Sequence, residues 1–512
     1  MILLLLCSIC LMSLIWLVTT VISNMLLSRE LQRKLPKFQS IPAVPVLGSG
    51  YLFRKDPTPP GIFEAFNQLH QRYGNDMIMQ NFLNAPNLLV TSAMVVKQVI
   101  HAKTIRKSII YEFMKPWVNE GLITALGKKW ALRRKIITPA FHFKILEEFL
   151  TTFNQQSEVF ITKLQKHSGK GDFNIYEYVT LCTLDIISET AMGVKINAQH
   201  NSTSSYVKSV KEMSNIIFKR LFSMTREYSI FFRASKAAQR QKATLSVLHG
   251  FTDMVIRERK TQLQNDLQSQ RLTQQKLDET DVYGKRKMTL LEILLNVSVD
   301  GHGLSNTDVR EEVDTFMFAG HDTTTACISF CAYHIAQNPL VQDRIVSEMA
   351  QILGEDFKNA ELTYSLLQEL KYLDMTIKEV LRIHPSVPFI GRKSADDMVI
   401  DGAKIPAGID IAIMIYAMHH NPEVFPDPEK FDPERFNEEN SSKRHPYSYI
   451  PFSVGERNCI GQKYALLEVK ATLVKLLGFY RLLPCDLDKK VRVMADVTLR
   501  PVNGTFVKIE AR

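Results

Sequence analysis

One loop in the C-terminal part of the chain holds the residue types best suited to metal chemistry. It reads Phe452-x-x-Gly455-x-Arg457-x-Cys459-x-Gly461. The apolar spacing over residues 464–469 predicts an amphipathic helix, so Cys459 lies at or just before a helix N-terminus. The partial positive charge there favours thiolate over thiol, and the thiolate is the metal-binding form. The two glycines let a flat ligand approach the backbone, and Arg457 is placed to meet an anionic group on it.

Other roles for Cys459 fit the sequence less well. A cysteine between two turns is commonly a buried structural residue, and the loop taken alone leaves that alternative open. A zinc site is disfavoured because no second cysteine or histidine lies at the spacing of a zinc finger. A cysteine protease is disfavoured because the local signatures of such enzymes are missing.

A long helical pattern must position a second set of polar residues. It starts at Ser305-x-x-Asp308, which resembles a capping box, and Pro339 ends it. The predicted helix has about thirty residues, long enough to cross a large domain, and such helices are usually buried and central. An acid and an alcohol, Asp322 and Thr323, lie in its middle.

The other elements are mostly helical. Residues 51–512 are predicted to form one unit, mainly α with a smaller β portion. Strands are expected at Met398–Ile400 and over residues 409–415, between glycine and proline signals. Asn503-Gly504, set between apolar and β-branched residues, predicts a hairpin.

The N-terminus predicts a membrane anchor. Residues 2–27 form a run of 26 residues without a charge, long enough to cross a bilayer as a helix. A cleaved signal peptide is the alternative, but a basic start and a cleavage site are not evident. Residues 1–27 are assigned to the transmembrane anchor and residues 28–50 to a basic, proline-rich linker. The basic residues of the linker predict that the part of the chain after the anchor faces the cytosol.

Composition narrows the class of protein further. The chain has 512 residues, of which 45% are hydrophobic, so it can bury a large core. Its net charge of +10 suits acidic proteins or phospholipid headgroups. Nucleic acid is not an expected partner, because the basic residues are scattered and form no known binding motif. Seven irregularly spaced cysteines argue against a disulfide framework and for a reducing compartment.

The cysteine loop resembles the haem-binding loop of the cytochrome P450 superfamily at all five specified positions. The resemblance implies the haem-thiolate monooxygenase fold, mainly α with a smaller β portion, over the chain after the anchor. It implies haem b as cofactor and Cys459 as the axial ligand to its iron. Phe452, Gly455, Arg457 and Gly461 are then cofactor-binding residues of the same loop.

Further motifs follow in the order expected for that family. Trp130 and Arg134, one helical turn apart, match donors to a haem propionate. Arg392 matches a third propionate contact beside Arg457, and arginine suits this role because its planar fork binds carboxylates bidentately.

A structural triad is also implied. Glu379-x-x-Arg382 lies one turn apart on a predicted helix, and Arg435 follows downstream. By resemblance the three residues hold the segment beneath the haem and do no chemistry.

The middle of the long helix resembles the oxygen-activation motif of the family. In that motif Thr323 is expected to hold a water by a hydrogen bond, and Asp322 to relay protons from solvent. Gly320 is expected to weaken the helix and make room beside the iron. His321 is expected to point to one side and is not assigned as a ligand.

Several segments resemble the microsomal family-four branch, which includes many insect members and the vertebrate fatty-acid ω-hydroxylases. Many members carry a glutamate where this chain has Ala319, and that carboxylate can form an ester to the haem. Alanine cannot, so the haem is expected to be non-covalent, and strict terminal-carbon hydroxylation is disfavoured. By resemblance only, residues 111–124, Phe389 and residues 497–499 are expected to line the substrate pocket.

The implied reaction inserts one oxygen atom of O2 into a lipophilic substrate: a fatty acid, a hormone or a xenobiotic. The sequence shows no flavin or nicotinamide domain, so electrons are expected from NADPH through the separate cytochrome P450 reductase. The acidic docking face of that partner fits the positive net charge, with Lys463, Lys470 and Arg444 as expected contacts. Cytochrome b5 is a further candidate partner, and the endoplasmic reticulum membrane is the expected location.

Two rival functions stay open. A haem-thiolate isomerase or dehydratase rearranges a peroxide without a reductase, but such enzymes often lack the pair formed here by Asp322 and Thr323. A non-enzymatic haem protein that binds or senses a lipid is the second rival. Damage to the oxygen motif would mark it, and the motif is intact.

Overall fold

The computed structural model describes residues 2–102, 105–201, 205–222, 232–274, 288–299, 301–485 and 491–512. Its α-helices are Ile2–Lys34, Pro59–Tyr73, Ala93–His101, Ile109–Val118, Gly127–Ile137, Phe143–Leu164, Ile175–Thr190, Ser205–Leu221, Lys236–Gln274, Leu290–Asn296, Asn306–Gln337, Pro339–Leu353, Tyr364–Glu369, Lys371–Ile383, Ile415–His419, Glu438–Ser442 and Gln462–Phe479. Short 3-10 helices are Gly50–Phe53, Phe82–Asn84, Thr138–Phe141, Gln165–His167, Pro433–Phe436 and Pro446–Ser448. The fold is therefore mainly helical, as predicted.

The strands form one larger sheet and several small ones. They are β1 Gln39–Ser40, β2 Met77–Gln80, β3 Pro86–Val90, β4 Ile105–Lys107, β5 Phe173–Asn174, β6 Ser298–Val299, β7 His302–Gly303, β8 Ile390–Ser394, β9 Met398–Ile400, β10 Ala403–Ile405, β11 Asp410–Ile413, β12 Tyr480–Pro484, β13 Val493–Ala495, β14 Leu499–Pro501 and β15 Phe506–Ala511. The larger sheet has the order β1-β2-β3-β11-β8-β4, and β12-β15-β5 form a second sheet. Three antiparallel pairs, β9 with β10, β13 with β14 and β6 with β7, complete the set.

The two expected strands are present, as β9 and β11, but the predicted hairpin is wrong. Strand β14 pairs with β13, whereas β15 pairs with β12 and β5, so the turn at Asn503-Gly504 joins two different sheets. Gly504 has φ +88°, so the turn itself forms. The side chain of Asn174 accepts a hydrogen bond from the Thr505 backbone, and this contact directs β15 away from β14.

The helix Asn306–Gln337, here called the central helix, begins and ends where the sequence predicts. Ser305 accepts a hydrogen bond from the Asp308 N–H, and the Asp308 carboxylate accepts one from the Ser305 N–H, so the capping box is complete. Most of its side chains are buried. The helix therefore lies in the centre of the fold, and other helices pack against it.

The anchor helix Ile2–Lys34 continues past the predicted end of the membrane segment at residue 27. Its apolar residues 4–18 are largely exposed, and it is the one helix in the described ranges that has the length and hydropathy of a membrane span. Asn24 Nδ2 donates to the Leu83 carbonyl at 2.8 Å. Leu31 is fully buried in a core cluster with residues of the larger sheet. The apolar helix thus suggests a membrane anchor whose C-terminal half packs onto the sheet.

Buried histidines predict that acid destabilises the fold. The pKa of His334 and of His419 is lowered to about 3, and that of His420 to about 4. Burial is the main cause in each case, and the charge of Arg382 contributes to all three. The unfolded chain therefore binds more protons than the folded chain between about pH 6.5 and pH 4. We expect the free energy of unfolding to fall as pH falls below 6.5, by up to about 1.4 kcal/mol per pH unit for each histidine.

Thermal unfolding between pH 7.5 and pH 4.5 measures this effect. The variant His334→Phe should reduce the slope, because His334 stacks on Phe431 and its Nε2 has no hydrogen-bond partner in the described ranges. The exposed His142, replaced in the same way, is the control. An unchanged slope in His334→Phe contradicts the assignment.

Candidate active site

The cysteine loop ends in a tight turn that leads into the helix Gln462–Phe479, here called the cysteine helix. The Cys459 N–H donates to the Phe452 carbonyl at 2.9 Å, and the Asn458 N–H donates to the Gly455 carbonyl at 3.1 Å. Gly455 has φ +77°, and a Cβ there would lie 2.8 Å from the side chain of Ile100. Gly461 precedes the first turn of the cysteine helix, as predicted.

The thiol of Cys459 opens onto a cavity inside the protein. The side chain is exposed there, and the thiol is not part of a disulfide. Burial by the surrounding protein raises the pKa of Cys459, and the Gly461 N–H and the charge of Arg134 oppose this without cancelling it. The N-terminal position therefore helps the thiolate less than the sequence suggests, and a metal ion bound at the sulfur would favour the ionised form.

The cavity lies between the central helix and the cysteine loop, and its empty space, including the part open to solvent, is about 1630 Å³. The predicted pocket residues that line it include Tyr111, Leu122, Phe389 and Val497. Its lining also includes the following predicted site residues: Trp130, Arg134, Ala319, Thr323, Phe452, Arg457 and Cys459. Most of the wall is apolar, so the space suits a large flat group and a lipophilic molecule together.

A cluster of cations forms one rim of the cavity. The Arg457 guanidinium lies 3.7 Å from the ring centroid of Trp130 and donates to the Ala125 carbonyl at 2.8 Å. Arg134 donates to the Asn458 carbonyl and side chain, both at 2.8 Å. Burial and then the charge of Arg392 lower the pKa of Arg457 to about 10.

Lys107 belongs to the same cluster and was missed by sequence reasoning. It pairs across strands with Arg392, so two like charges stand opposite one another on β4 and β8. Burial, then Arg392 and Arg457, lower the pKa of Lys107 well below its usual value. The only signal in the sequence is a basic pair at residues 106–107, which by itself is typical of a solvated surface.

This cluster tests whether the site fits a haem. In the part of the chain that the structure describes, no carboxylate lies within ion-pair distance of Lys107, Arg134, Arg392 or Arg457. Cations held together without a counter-charge are unfavourable, and an anionic ligand removes the penalty. The two propionates of a haem with its iron at Cys459 supply such charges. The residues present fit the group.

The acid of the oxygen motif lies behind the cavity wall. Asp322 accepts hydrogen bonds from Thr498 at 2.5 Å and from Arg500 at 2.9 Å and is buried. Burial acts to raise the pKa of Asp322, but the charges of Arg500 and His321 and the hydrogen bonds outweigh it, so the pKa lies below its usual value. Thr498 lines the cavity and connects it to Asp322. Thr498 lies within residues 497–499, which were expected to line the pocket, but neither its bond to Asp322 nor the role of Arg500 was predicted from the sequence.

Thr323 lies in the cavity wall, and its hydroxyl donates to the Ala319 carbonyl at 2.8 Å. Gly320 faces elsewhere: a Cβ there would lie 2.5 Å from the side chain of Ile187. The room made by Gly320 therefore serves helix packing and does not open the cavity. His321 is buried against Tyr206 and is not among the described residues that line the cavity.

Glu379 and Arg382 form a bidentate ion pair away from the cavity. The distances from Arg382 Nε and Nη2 to the two carboxylate oxygens are both 2.8 Å, and both side chains are 0% exposed. Arg435 Nε lies 3.4 Å from Glu379 Oε1. Glu379 also accepts from the Asp432 N–H at 2.9 Å. The three side chains therefore tie the helix Lys371–Ile383 to the segment before the cysteine loop.

The structure places the three expected reductase contacts differently. Lys470 is 3% exposed and forms an ion pair with Asp374 at 3.1 Å. The expectation for Lys470 is therefore wrong, because the helical period turns this side chain of the cysteine helix toward the core. Arg444 stacks over Phe425 and Phe436 and is half-buried, and Lys463 is exposed. A contact through Arg444 or Lys463 stays a prediction.

Known proteins resemble the chain along most of its length. The family model described as cytochrome P450 matches residues 39–508. Cytochrome P450 4c3 of Drosophila melanogaster is 42% identical over 446 residues, which are 86% of this chain and 82% of that protein. Cytochrome P450 4d2 of the same organism is 46% identical over 412 residues, 80% of this chain and 81% of that protein.

The likeness extends to vertebrates. Human cytochrome P450 4V2 is 37% identical over 487 residues, which are 94% of this chain and 91% of that protein. The matched span contains the cysteine loop, the central helix and the cation cluster. Cytochromes P450 bind haem and use redox partners and lipophilic substrates. The chain therefore belongs to the cytochrome P450 family of haem-thiolate monooxygenases, within the family-four group of relatives.

Proposed function

We propose that this protein inserts one atom of O2 into a lipophilic substrate, with electrons from NADPH delivered by a separate flavoprotein reductase. One observation carries the proposal: the Cys459 thiol opens onto a large apolar cavity whose rim holds cations without carboxylate partners in the described ranges. When bound, a haem ligated by a cysteine thiolate supplies O2 activation, because the thiolate pushes electron density toward the iron.

The remaining site residues hold the cofactor and manage protons. Arg134, Arg457, Arg392 and Lys107 are the proposed partners of the propionates, with the Trp130 N–H as a further donor. Thr323 is proposed to hold a water in the cavity wall.

Protons are proposed to reach the cavity through Asp322. The Thr498 hydroxyl lies between the cavity and that carboxylate, and Arg500 keeps the carboxylate ionised and ready to accept a proton. Asp322 therefore exchanges protons with the cavity through the Thr498 hydroxyl and does not contact the cavity directly.

The proposed cofactor is haem b without a covalent bond to the protein. Ala319 lines the cavity and has no group that can form an ester. We expect acidified butanone to extract all of the haem from the wild-type protein. The variant Ala319→Glu places a carboxylate in the same wall and should retain part of its haem. Haem that stays with the wild-type polypeptide on a denaturing gel contradicts the prediction.

The proposed electron donor is the microsomal NADPH–cytochrome P450 reductase, with cytochrome b5 as a second candidate. Lys463 is exposed in the first turn of the cysteine helix, four residues after Cys459 in the chain. We expect Lys463→Glu to slow reductase-supported turnover, most strongly at low salt, because it reverses a charge that attracts an acidic partner. Peroxide-supported turnover should not change.

Lys404→Glu is the control for that measurement, since Lys404 is exposed on the small β9–β10 hairpin. Equal loss in both variants, or loss of peroxide-supported turnover in Lys463→Glu, contradicts a docking role. The proposed location is the endoplasmic reticulum membrane with the catalytic part in the cytosol, supported by the apolar anchor helix and the basic residues that follow it.

The proposed function is tested by two measurements on the holoprotein. The reduced protein with carbon monoxide should show the strongly red-shifted Soret band of thiolate ligation. With reductase, NADPH and isotopically labelled dioxygen, it should transfer label to a lipophilic substrate. Peroxide rearrangement without reductase would instead support an isomerase or dehydratase. A red-shifted band without oxygen transfer to any lipid would support a sensor.

A further inference from the structure

A second cavity lies beside the catalytic cavity. It lies between the helix Pro59–Tyr73 and strands β2, β3 and β11, and its empty space, including the part open to solvent, is about 880 Å³. Ile110, Phe389 and Gly391 line both cavities, so the two spaces adjoin at these residues. The catalytic site as described uses none of the polar residues of this second cavity.

The second cavity has apolar walls with polar groups on two of its sides. Phe63 and Phe222 are among its apolar lining residues, and His70 lies on the helix side. Asn87 and Asp410 lie on the sheet side, where they are register partners on β3 and β11. An apolar space with a few polar groups suits an amphiphile.

The buried polar atoms of the cavity are hydrogen-bond acceptors. His70 Nδ1 lies 3.4 Å from the Gly74 carbonyl, so the proton is assigned to Nδ1 and Nε2 is left as an acceptor. His70 Nε2 and Asn87 Oδ1 are both buried and have no hydrogen-bond partner in the described ranges. Buried acceptors of this kind are costly, and a ligand that donates hydrogen bonds removes the cost.

Charge excludes an anionic head. No lysine or arginine is among the described residues that line it. Burial lowers the pKa of His70 to about 4, so its ring is neutral at physiological pH and cannot pair with a carboxylate. The carboxylate of a fatty acid would therefore lack a cationic partner among the described lining residues.

The anchor helix touches the sheet that forms one wall of this cavity. Asn24 contacts Leu83 in the turn between β2 and β3, and Leu31 belongs to the same core cluster as Ile78 of β2 and Leu88 of β3. The second cavity is therefore close to the membrane-facing end of the protein, and an amphiphile from the bilayer is its natural ligand.

We infer that the second cavity binds the head of an uncharged amphiphile that donates hydrogen bonds, such as a long-chain alcohol, while the chain extends past Ile110 and Phe389 into the catalytic cavity. The head donates to His70 Nε2 or Asn87 Oδ1. This inference rests on the proposed function, since it names the substrate class for the same oxygenation. Alcohols are then preferred over the corresponding free acids.

The test compares radiolabelled 1-dodecanol with radiolabelled dodecanoate in equilibrium dialysis against the full-length holoprotein in detergent. The alcohol should bind at least about tenfold more tightly. The variant His70→Leu should weaken alcohol binding by roughly tenfold, and His70→Gln, whose carbonyl accepts a hydrogen bond, should restore it. His70→Lys should raise the affinity for dodecanoate.

Gln68→Leu is the matched control, because Gln68 lies exposed on the same helix and its side chain donates a hydrogen bond to Glu64. It should leave both affinities unchanged. 1-Dodecanol should also shift the Soret band, because its chain reaches the haem, whereas 1-butanol should not.

Several results would overturn the inference. Equal affinity for alcohol and acid does so, as does tighter binding of the acid or an unaltered affinity in His70→Leu. A Soret shift as large with 1-butanol refutes the extended pose. If the reduced carbon monoxide band is red-shifted but no alcohol preference exists, only this inference fails. If the preference exists without that band, only the proposed function fails.

Discussion

Cys459→Ser is expected to abolish the red-shifted carbon monoxide band and to reduce reductase-supported oxygenation to background. The serine hydroxyl does not ionise at physiological pH, so it cannot donate the electron density that drives O–O cleavage. The Cys459 thiol opens onto the cavity, and its backbone N–H donates to the Phe452 carbonyl, which fixes the loop. The loss should therefore be specific to the ligand.

The control for this variant is Cys327→Ser. Cys327 is a second cysteine in the lining of the same cavity, but it lies on the central helix. This variant should keep the red-shifted band. Circular dichroism and haem content verify that both variants fold. Retention of the band in Cys459→Ser, or its loss in Cys327→Ser alone, contradicts the assignment of the ligand.

Glu379→Ala is expected to destabilise the fold by about 3–5 kcal/mol, because it leaves the Arg382 charge buried without a partner. Arg382 is 0% exposed, and the Glu379 carboxylate accepts two of its hydrogen bonds. The same substitution removes the acceptor for the Asp432 N–H. Denaturant unfolding followed by circular dichroism and haem absorbance measures the effect. We expect haem to be lost with the fold.

Two other variants complete this test. Glu439→Ala breaks an ion pair with Lys443 whose side chains are 78% and 65% exposed, and it should cost less than about 1 kcal/mol. Arg435→Ala removes the third member of the triad, whose Nε lies 3.4 Å from Glu379 Oε1, and should lower the free energy of unfolding by an intermediate amount. It keeps the test possible if Glu379→Ala does not fold. Equal stability of Glu379→Ala and Glu439→Ala would contradict a structural role for the buried pair.

Local chemistry made part of the site predictable. Three features of the site depend only on neighbours within a few residues. They are the spacing of Cys459 and its glycines, the capping box at Ser305, and the one-turn pair Glu379 and Arg382. A helix start or a side-chain pair at such spacing is fixed by backbone geometry, so it can be read from sequence.

Contacts between distant segments were not predictable. Lys107 meets Arg392 across strands separated by almost three hundred residues, and Thr498 meets Asp322 from the turn that precedes β14. Neither partner has a local pattern that distinguishes it from an ordinary surface residue. Lys470 shows the converse, since a lysine expected in solvent is buried against Asp374. Burial of such groups is decided by tertiary packing.

The packing of the anchor helix restricts how the enzyme moves at a membrane. Since Asn24 and Leu31 hold its C-terminal half against the sheet, the helix is not a flexible tether. Insertion of its exposed half then sets the tilt of the whole catalytic part relative to the bilayer plane. Encounters with the proposed reductase, if it is held in the same membrane, then become two-dimensional, between partners of restricted orientation. A substitution at Asn24 could therefore slow electron delivery without altering a single residue near Cys459.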